Sequence, residues 1–240
     1  MSQSVQQRTS EILKQIDRRG HVSVRDLATE MLVSEATIRR DLRALADLKK
    51  VELVYGGATA PRQPDHSLQA RSQRNVEAKR SIGRAAVDLV QEGELVFVDS
   101  GTTCFEMRHG LANRKGVSVI TNSAKLAADL GERSNLGVIF LGGHYRPGLE
   151  DTIGPLTLNA IDQLRGYTAF IGADGLSADF GVSATDIETA YLYQHVVKNA
   201  RETILLADHT KFAAPSLYRI CGLEAVARIV TDCPPEAGWH

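Results

Sequence analysis

Residues Val22–Ala58 read VSVRDLATEMLVSEATIRRDLRALADLKKVELVYGGA, and two short amphipathic segments inside them form the pattern of a helix-turn-helix. In the second segment, Ser34–Asp47, a helical wheel with Ile38 at zero brings Leu42 and Leu45 within about 40° of it, at about 100° per residue. Ala36, Arg40 and Arg43 then fall on the opposite side, with Arg39 at the border. Ser34 is placed to cap this helix, because its hydroxyl can accept a hydrogen bond from a free N–H of the first turn. The first segment, Val24–Met31, sets Leu27, Ala28 and Met31 on one face. A helix with an apolar back and an Arg-rich front can lie in the major groove, where Arg donates to a guanine edge or pairs with phosphate. Ser34 and Thr37 suit a phosphate contact, since the helix N-terminus already favours an anion. A solvated helix with Arg–Asp pairs around Asp41 and Asp47 would carry the same periodicity, so spacing alone leaves both open.

Around this stretch the chain is organised in two parts. A helix is expected over Val5–Arg18, stopped by Gly20, and VELVYGG reads as a β-ribbon turning at Gly56-Gly57. Ala58–Ser67 holds two prolines and few apolar residues. The expected division is a DNA-binding domain at 1–60, a linker at 61–75 and a second domain at 76–240, with Leu68–Val90 read as one basic helix. Short apolar runs then recur at Leu95–Val98, Val117–Ile120, Gly137–Leu141, Ala169–Ile171, Thr203–Ala207 and Ala227–Val230, with helical stretches between several of them. Strands alternating with helices indicate an α/β fold with a mostly parallel sheet.

Charge follows the same division. Met1–Arg84 carries 16 Lys and Arg against 10 Asp and Glu, a net of +6, while Ala85–His240 carries 12 against 19, a net of −7. A basic N-terminal third on an acidic remainder points the first part at a polyanion. With 240 residues, 43% of them apolar, and a net charge of −1, a disordered chain is excluded. The longest apolar runs fall far short of the ~20 residues a spanning helix needs, so no membrane partner is expected. The N-terminal MSQSVQQRTSEILKQIDRRG has no signal-peptide core, and a cytoplasmic protein is expected. Cys104, Cys221 and Cys233 form no CxxC and have no histidine at finger spacing, so they are expected as small buried residues, with no metal and no cofactor.

The second domain places polar clusters just after its strands. Asp99-Ser100-Gly101-Thr102-Thr103 follows the first, and its tight turn, three hydroxyls and helix start make a phosphate cradle. It is neither a Walker loop nor a GxGxxG fingerprint. Further clusters are Thr121-Asn122-Ser123, Gly142-Gly143-His144-Tyr145-Arg146, Gly172-Ala173-Asp174-Gly175 and Asp208-His209-Thr210-Lys211. Ligands of open α/β sheets bind outside the carboxyl ends of the strands. There Arg146 and Lys211 can neutralise a phosphate, while Asn122 and Asp174 can hydrogen-bond hydroxyls.

On the TIRRDL core and the YGGA wing end, Val22–Ala58 resembles the winged helix of the DeoR family of bacterial transcription regulators. The strand-end clusters, in this order from about Arg71 to Asp232, are similar to that family's sensor domain, which has the fold of ribose-phosphate isomerase. The resemblance implies a repressor of a carbohydrate-utilisation operon that binds double-stranded operator DNA as a homodimer or homotetramer and is not an enzyme. It implies that Ser100–Thr103 hold the phosphate of a sugar phosphate and that Asn122, Arg146, Asp174, Glu188 and Lys211 line the sugar. Two departures stand out. Glu52 occupies a wing position where a basic residue is usual, and DHTKFAAPS stands in place of DSSKFG, so His209 and the residues after Phe212 are expected either to alter effector choice or, for His209, to be a surface-loop histidine. An isomerase-like enzyme with an accessory DNA reader would use Asp99, Asp174, Glu188 and Lys211 as acid–base groups, but would have no need of Arg39, Arg40 and Arg43 on one helix.

Overall fold

The computed structural model describes residues 5–19, 21–48, 50–54, 56–59, 67–132 and 136–234. Gly20, and residues 61–66 of the stretch expected as linker, lie outside them. The chain separates into two compact units, Met1–His66 and Ser67–His240.

In the first unit, α1 (Val5–Arg19) and β1 (His21–Ser23) lead into α2 (Val24–Glu30), α3 (Glu35–Asp47), β2 (Glu52–Val54) and β3 (Gly57–Thr59). Both short helices begin on serine caps: Ser23 Oγ accepts from the Asp26 N–H at 3.0 Å and Ser34 Oγ from the Thr37 N–H at 3.2 Å. The stripe expected on the second segment is the one that packs, since Ile38, Leu42 and Leu45 are buried against Ile12, Ile16, Leu27 and Val51. The ribbon is there, and β1 joins it to make an antiparallel sheet in the order β1-β3-β2. Gly57 permits this closure, because a Cβ there would sit 1.9 Å from the Val22 carbonyl oxygen.

The turn between α2 and α3 holds Leu32 at φ +54, with the side chain 91% exposed. A left-handed leucine costs about 1–2 kcal/mol and here gains no packing in return. Leu32→Asn is therefore expected to stabilise the unit by up to about 1 kcal/mol, read as a higher melting temperature. A lower one would show that the turn needs this leucine.

The second unit begins with α4 (Leu68–Ser72) and α5 (Val76–Val87). The single basic helix expected over Leu68–Val90 is thus broken. Asn75 stands at φ +51, a conformation that asparagine tolerates better than most residues, and it turns the chain between the two. Leu68, inside the expected linker, is buried in this unit.

There follow β4 (Leu95–Val98), a 3-10 turn at Cys104–Met107, α6 (Arg108–Leu111), β5 (Ser118–Thr121), α7 (Ala124–Gly131), β6 (Gly137–Phe140), the hairpin β7 (His144–Arg146) and β8 (Asp151–Ile153), and α8 (Pro155–Asp162). Then come β9 (Thr168–Ile171), β10 (Gly175–Ser177), β11 (Gly181–Ala184), α9 (Ile187–Asn199), β12 (Glu202–Leu206), a 3-10 turn at His209–Phe212, β13 (Tyr218–Cys221) and β14 (Arg228–Val230). All six expected strands form one parallel sheet in the order β14-β12-β9-β4-β5-β6. Its central strands are apolar throughout because both faces are covered. Val96, Val98, Phe170, Ile204 and Leu206 pack with Ile82, Met107 and Leu111 on one side, while Phe97, Ala169, Ile171 and Leu205 pack with Ile161, Tyr193 and Val196 on the other. A small antiparallel sheet, β10-β11-β13, stands beside it. Of the cysteines expected to be buried only Cys104 is; Cys221 is half-buried and Cys233 exposed.

Candidate functional site

In the first unit the residues expected to read DNA lie on α3. Arg40 and Arg43 are exposed, and no described residue bonds to either side chain. Arg39, also exposed, donates from Nη2 to Glu35 Oε2 at 2.7 Å, one turn earlier. Ser34 and Thr37 bond to each other through their hydroxyls at 2.9 Å, so the cap holds Thr37 in place. Asp41 does not face these arginines. It is buried and accepts from Arg8 of α1 at 2.5 Å on Oδ2 and 3.1 Å on Oδ1. The Asp41 hydrogen bond, opposed by burial, raises the Arg8 guanidinium above its ordinary pKa. This pair clamps α1 on the back of α3 and leaves the arginine front free.

In the second unit the expected residues sort into three roles. Asp99, at the end of β4, is spent on backbone: it accepts from the Gly101 N–H at 2.6 Å and from the Gly172 N–H. Burial raises its pKa, against those hydrogen bonds. It ties the loop after β4 to the loop after β9. Ser100 is similarly engaged, donating to Asp151 Oδ2 at 3.2 Å and receiving Tyr193 at 3.3 Å. Arg146 is a clasp. It donates to Asp151 at 2.8 and 2.7 Å, to Asp186 at 2.6 Å and to Thr189 Oγ1 at 2.9 Å, joining the β7–β8 hairpin to the start of α9. Burial works against its charge, and the two carboxylates more than restore it, so its pKa lies above the ordinary value.

Of the remaining residues, all but Asp174 keep a side-chain polar atom with no partner among the described residues. Thr102 and Thr103 have hydroxyls with no hydrogen-bond partner among the described residues, and what they precede is the 3-10 turn rather than a regular α-helix. Asn122 is buried and donates to the Thr152 carbonyl at 3.2 Å, while its Oδ1 has no partner. Asp174 accepts from the Thr185 N–H at 2.9 Å and faces Arg71 at 3.6 Å. Glu188 is exposed on the first turn of α9, and Lys211 is half-buried in the second 3-10 turn.

Sequence reasoning passed over Lys79 and Arg71. Lys79 is buried at 5% exposure, and its Nζ donates to the Arg71 carbonyl at 2.6 Å. Burial pulls its pKa down to about 8; Asp208 opposes this, and Lys211, Arg71 and Arg74 add to it. Lys79, Lys211, Arg71 and Arg74 thus share one neighbourhood with Asp208, and Arg71 also pairs with Asp174 at 3.6 Å. The signal was in the sequence: Lys79, Ile82, Gly83 and Ala86 occupy a single inward stripe of α5, and a lysine on an apolar stripe demands a partner.

Comparison with known proteins agrees with both units. Residues 8–63 match the DeoR-like helix-turn-helix domain and residues 74–233 match the DeoR C terminal sensor domain. The chain is 29% identical to the glycerol-3-phosphate regulon repressor of Escherichia coli K12, covering 95% of this chain and 91% of that one. It is 30% identical to the putative aga operon transcriptional repressor of E. coli O157:H7, covering 94% and 86%, and 30% identical to the lactose phosphotransferase system repressor of Staphylococcus epidermidis, covering 94% and 91%. Ribose 5-phosphate isomerase A of Methanocaldococcus jannaschii superposes on 58% of the chain and 55% of its own length, with a TM-score of 0.44 and 20% identity. No described helix is long and apolar enough to cross a membrane. A helix-turn-helix followed by a sensor domain, matched nearly end to end, makes this chain a member of the DeoR family of transcriptional regulators.

Proposed function

We propose that the protein is a repressor that reads operator DNA through α3 and is switched by a phosphorylated sugar held in its second unit, and that it has no enzymatic activity of its own. The observation that carries the effector reading is the gathering of Arg71, Arg74 and Lys211 about the buried Lys79, whose Nζ donates to the Arg71 carbonyl at 2.6 Å. With Lys79 these are four cations against Asp208 and Asp174, and a phosphate dianion relieves the repulsion that remains. Thr102 and Thr103 supply the hydroxyls for its oxygens, and the unpartnered Asn122 Oδ1 accepts from a sugar hydroxyl. Asp174, Glu188 and Lys211 complete the lining. Asp99, Ser100 and Arg146 shape the loops through their protein partners.

A thermal-shift screen tests this directly. Triose, pentose and hexose phosphates and glycerol 3-phosphate are each compared with the unphosphorylated parent. A ligand held only by the native state raises the melting temperature by mass action. At least one phosphorylated compound is expected to do so where its parent does not. Equal shifts from phosphorylated and plain forms would sink the phosphate reading.

On the DNA side, Arg40→Ala is expected to weaken operator binding by roughly 1–3 kcal/mol and relax specificity at one base pair. Arg43→Ala, at a phosphate, should weaken all sequences alike and lower the salt slope by about one. Arg39→Ala should cost less than either, because Glu35 already holds Arg39. Fluorescence anisotropy with matched and mismatched duplexes measures all three, and unchanged affinity in both Arg40→Ala and Arg43→Ala would refute the face. One such helix buries little surface, so the protein is proposed to bind paired half-sites as a dimer or tetramer.

A further inference from the structure

Strands β12 and β14 are parallel neighbours, with Leu206 opposite Val230, and the ladder continues one step to the Ala207 N–H and the Val230 carbonyl at 3.1 Å. Their continuations therefore leave the sheet side by side. Two residues beyond Val230 stands Asp232, followed by Cys233, and two residues beyond Ala207 stands His209. The His209 imidazole, the Asp232 carboxylate and the Cys233 thiol each bring a donor atom within 4.8 Å of the other two.

The arrangement is held from the backbone. Asp232 Oδ1 accepts the His209 N–H at 2.8 Å, and Oδ2 meets His209 Nδ1 at 2.7 Å. The Thr231 hydroxyl donates to the Cys233 carbonyl at 3.1 Å, which fixes the turn that presents the thiol. No linear motif announces this set, because His209 lies 23 residues before Asp232 and only the strand pairing unites them.

We propose that His209, Asp232 and Cys233 form a binding site for a zinc-class divalent ion on the sensor unit. One nitrogen, one carboxylate oxygen and one thiolate are the donors that Zn²⁺ takes, and three protein ligands leave a fourth position for water. Binding takes Nδ1 of a neutral His209, whose single N–H then sits on Nε2, and displaces the Cys233 S–H proton to solvent. The bound ion would fix the 3-10 turn His209–Phe212 against the end of β14. That turn also carries Lys211, so the metal would act on the mobility of an effector-site residue without touching the effector.

Co²⁺ is the probe, added to untagged full-length protein after chelator treatment, with Zn²⁺ as competitor. A thiolate-to-cobalt charge-transfer band is expected to grow to one equivalent per chain and to be displaced by Zn²⁺. Cys233→Ser should remove the band. His209→Gln and Asp232→Asn should each weaken Zn²⁺ binding at least tenfold, while all three variants keep the metal-free melting profile of the wild type. Because the His209 and Cys233 side chains are exposed and Asp232→Asn keeps an acceptor for the His209 N–H, a variant that melts differently points to a structural role for the cluster and counts against the site. Absence of a band in the wild type, its persistence in Cys233→Ser, or undiminished Zn²⁺ binding by His209→Gln would overturn the proposal.

Discussion

Asp41→Ala is expected to destabilise the DNA-binding unit by about 3–5 kcal/mol, the cost of leaving a buried guanidinium without its carboxylate. The Arg8 and Asp41 side chains are 7% and 6% exposed, so water cannot take the place of the lost partner. The total stability of a domain is about 5–15 kcal/mol, and this unit is small, which makes the loss decisive. Hydrogen exchange on the full chain reads the effect: amides of α3 such as Ile38 and Leu42 should lose protection, while those of β4 and β9 keep theirs. An Arg8→Met, Asp41→Leu double variant should recover most of the loss, because apolar replacement of a buried pair is often neutral or better. If Asp41→Ala left α3 fully protected, the pair would not be what clamps α1 to it.

Lys79→Met should weaken the effector by about 10- to 150-fold, the equivalent of roughly 1.5–3 kcal/mol for a charge-assisted hydrogen bond. It should raise stability slightly near neutral pH, since a buried cation among cations is removed. The pH dependence follows from the pKa of about 8. Below that value Lys79 is charged and offers the phosphate a full cation. As pH rises through it, the free protein loses this proton before binding, so wild-type affinity should fall on the alkaline side. The stability penalty of the buried charge has the opposite course: it is complete below about 8 and is relieved as pH climbs toward the ordinary lysine value of 10.5. Isothermal titration with the sugar phosphate across pH 6.5–9.5 separates the two proteins: a sloping wild type beside a flat Lys79→Met is expected (~3 pH units suffice to bracket the transition). Parallel slopes would remove Lys79 from the site.

The parallel sheet was legible because its strands are covered on both faces and so read as unbroken apolar runs; LVFV and TAFI allow little else. The recognition helix was legible for the opposite reason, one buried stripe in a polar helix. The hairpin β7–β8 and the strands β10, β11 and β13 escaped, being three or four residues long with no period to count. Arg146 shows the limit of reading a site from residue type. A phosphate and Asp151 satisfy the same guanidinium, and the register that sets Arg146 opposite Asp151 is fixed by a hairpin the sequence does not advertise. Lys79 is the converse case. Its place on the Ile82–Ala86 stripe was visible, but taking the whole stretch as one basic helix hid it among solvated charges.

If phosphate capture at Thr102, Thr103 and Lys79 governs DNA binding by the other unit of the chain, a charge that blocks the phosphate must abolish the response to effector. The most direct test titrates a phosphorylated sugar active in the thermal screen against operator occupancy, wild type beside Thr102→Asp, using a duplex the protein has selected from random DNA. The aspartate puts a like charge where the phosphate is to bind. Both proteins should occupy the operator equally without effector, since Thr102 lies outside the DNA-reading unit. With effector, the wild-type occupancy should change and the Thr102→Asp occupancy should stay flat at every concentration. A Thr102→Asp protein that responds at the wild-type concentration would contradict the account, leaving the loop after β4 as a turn and the effector site elsewhere.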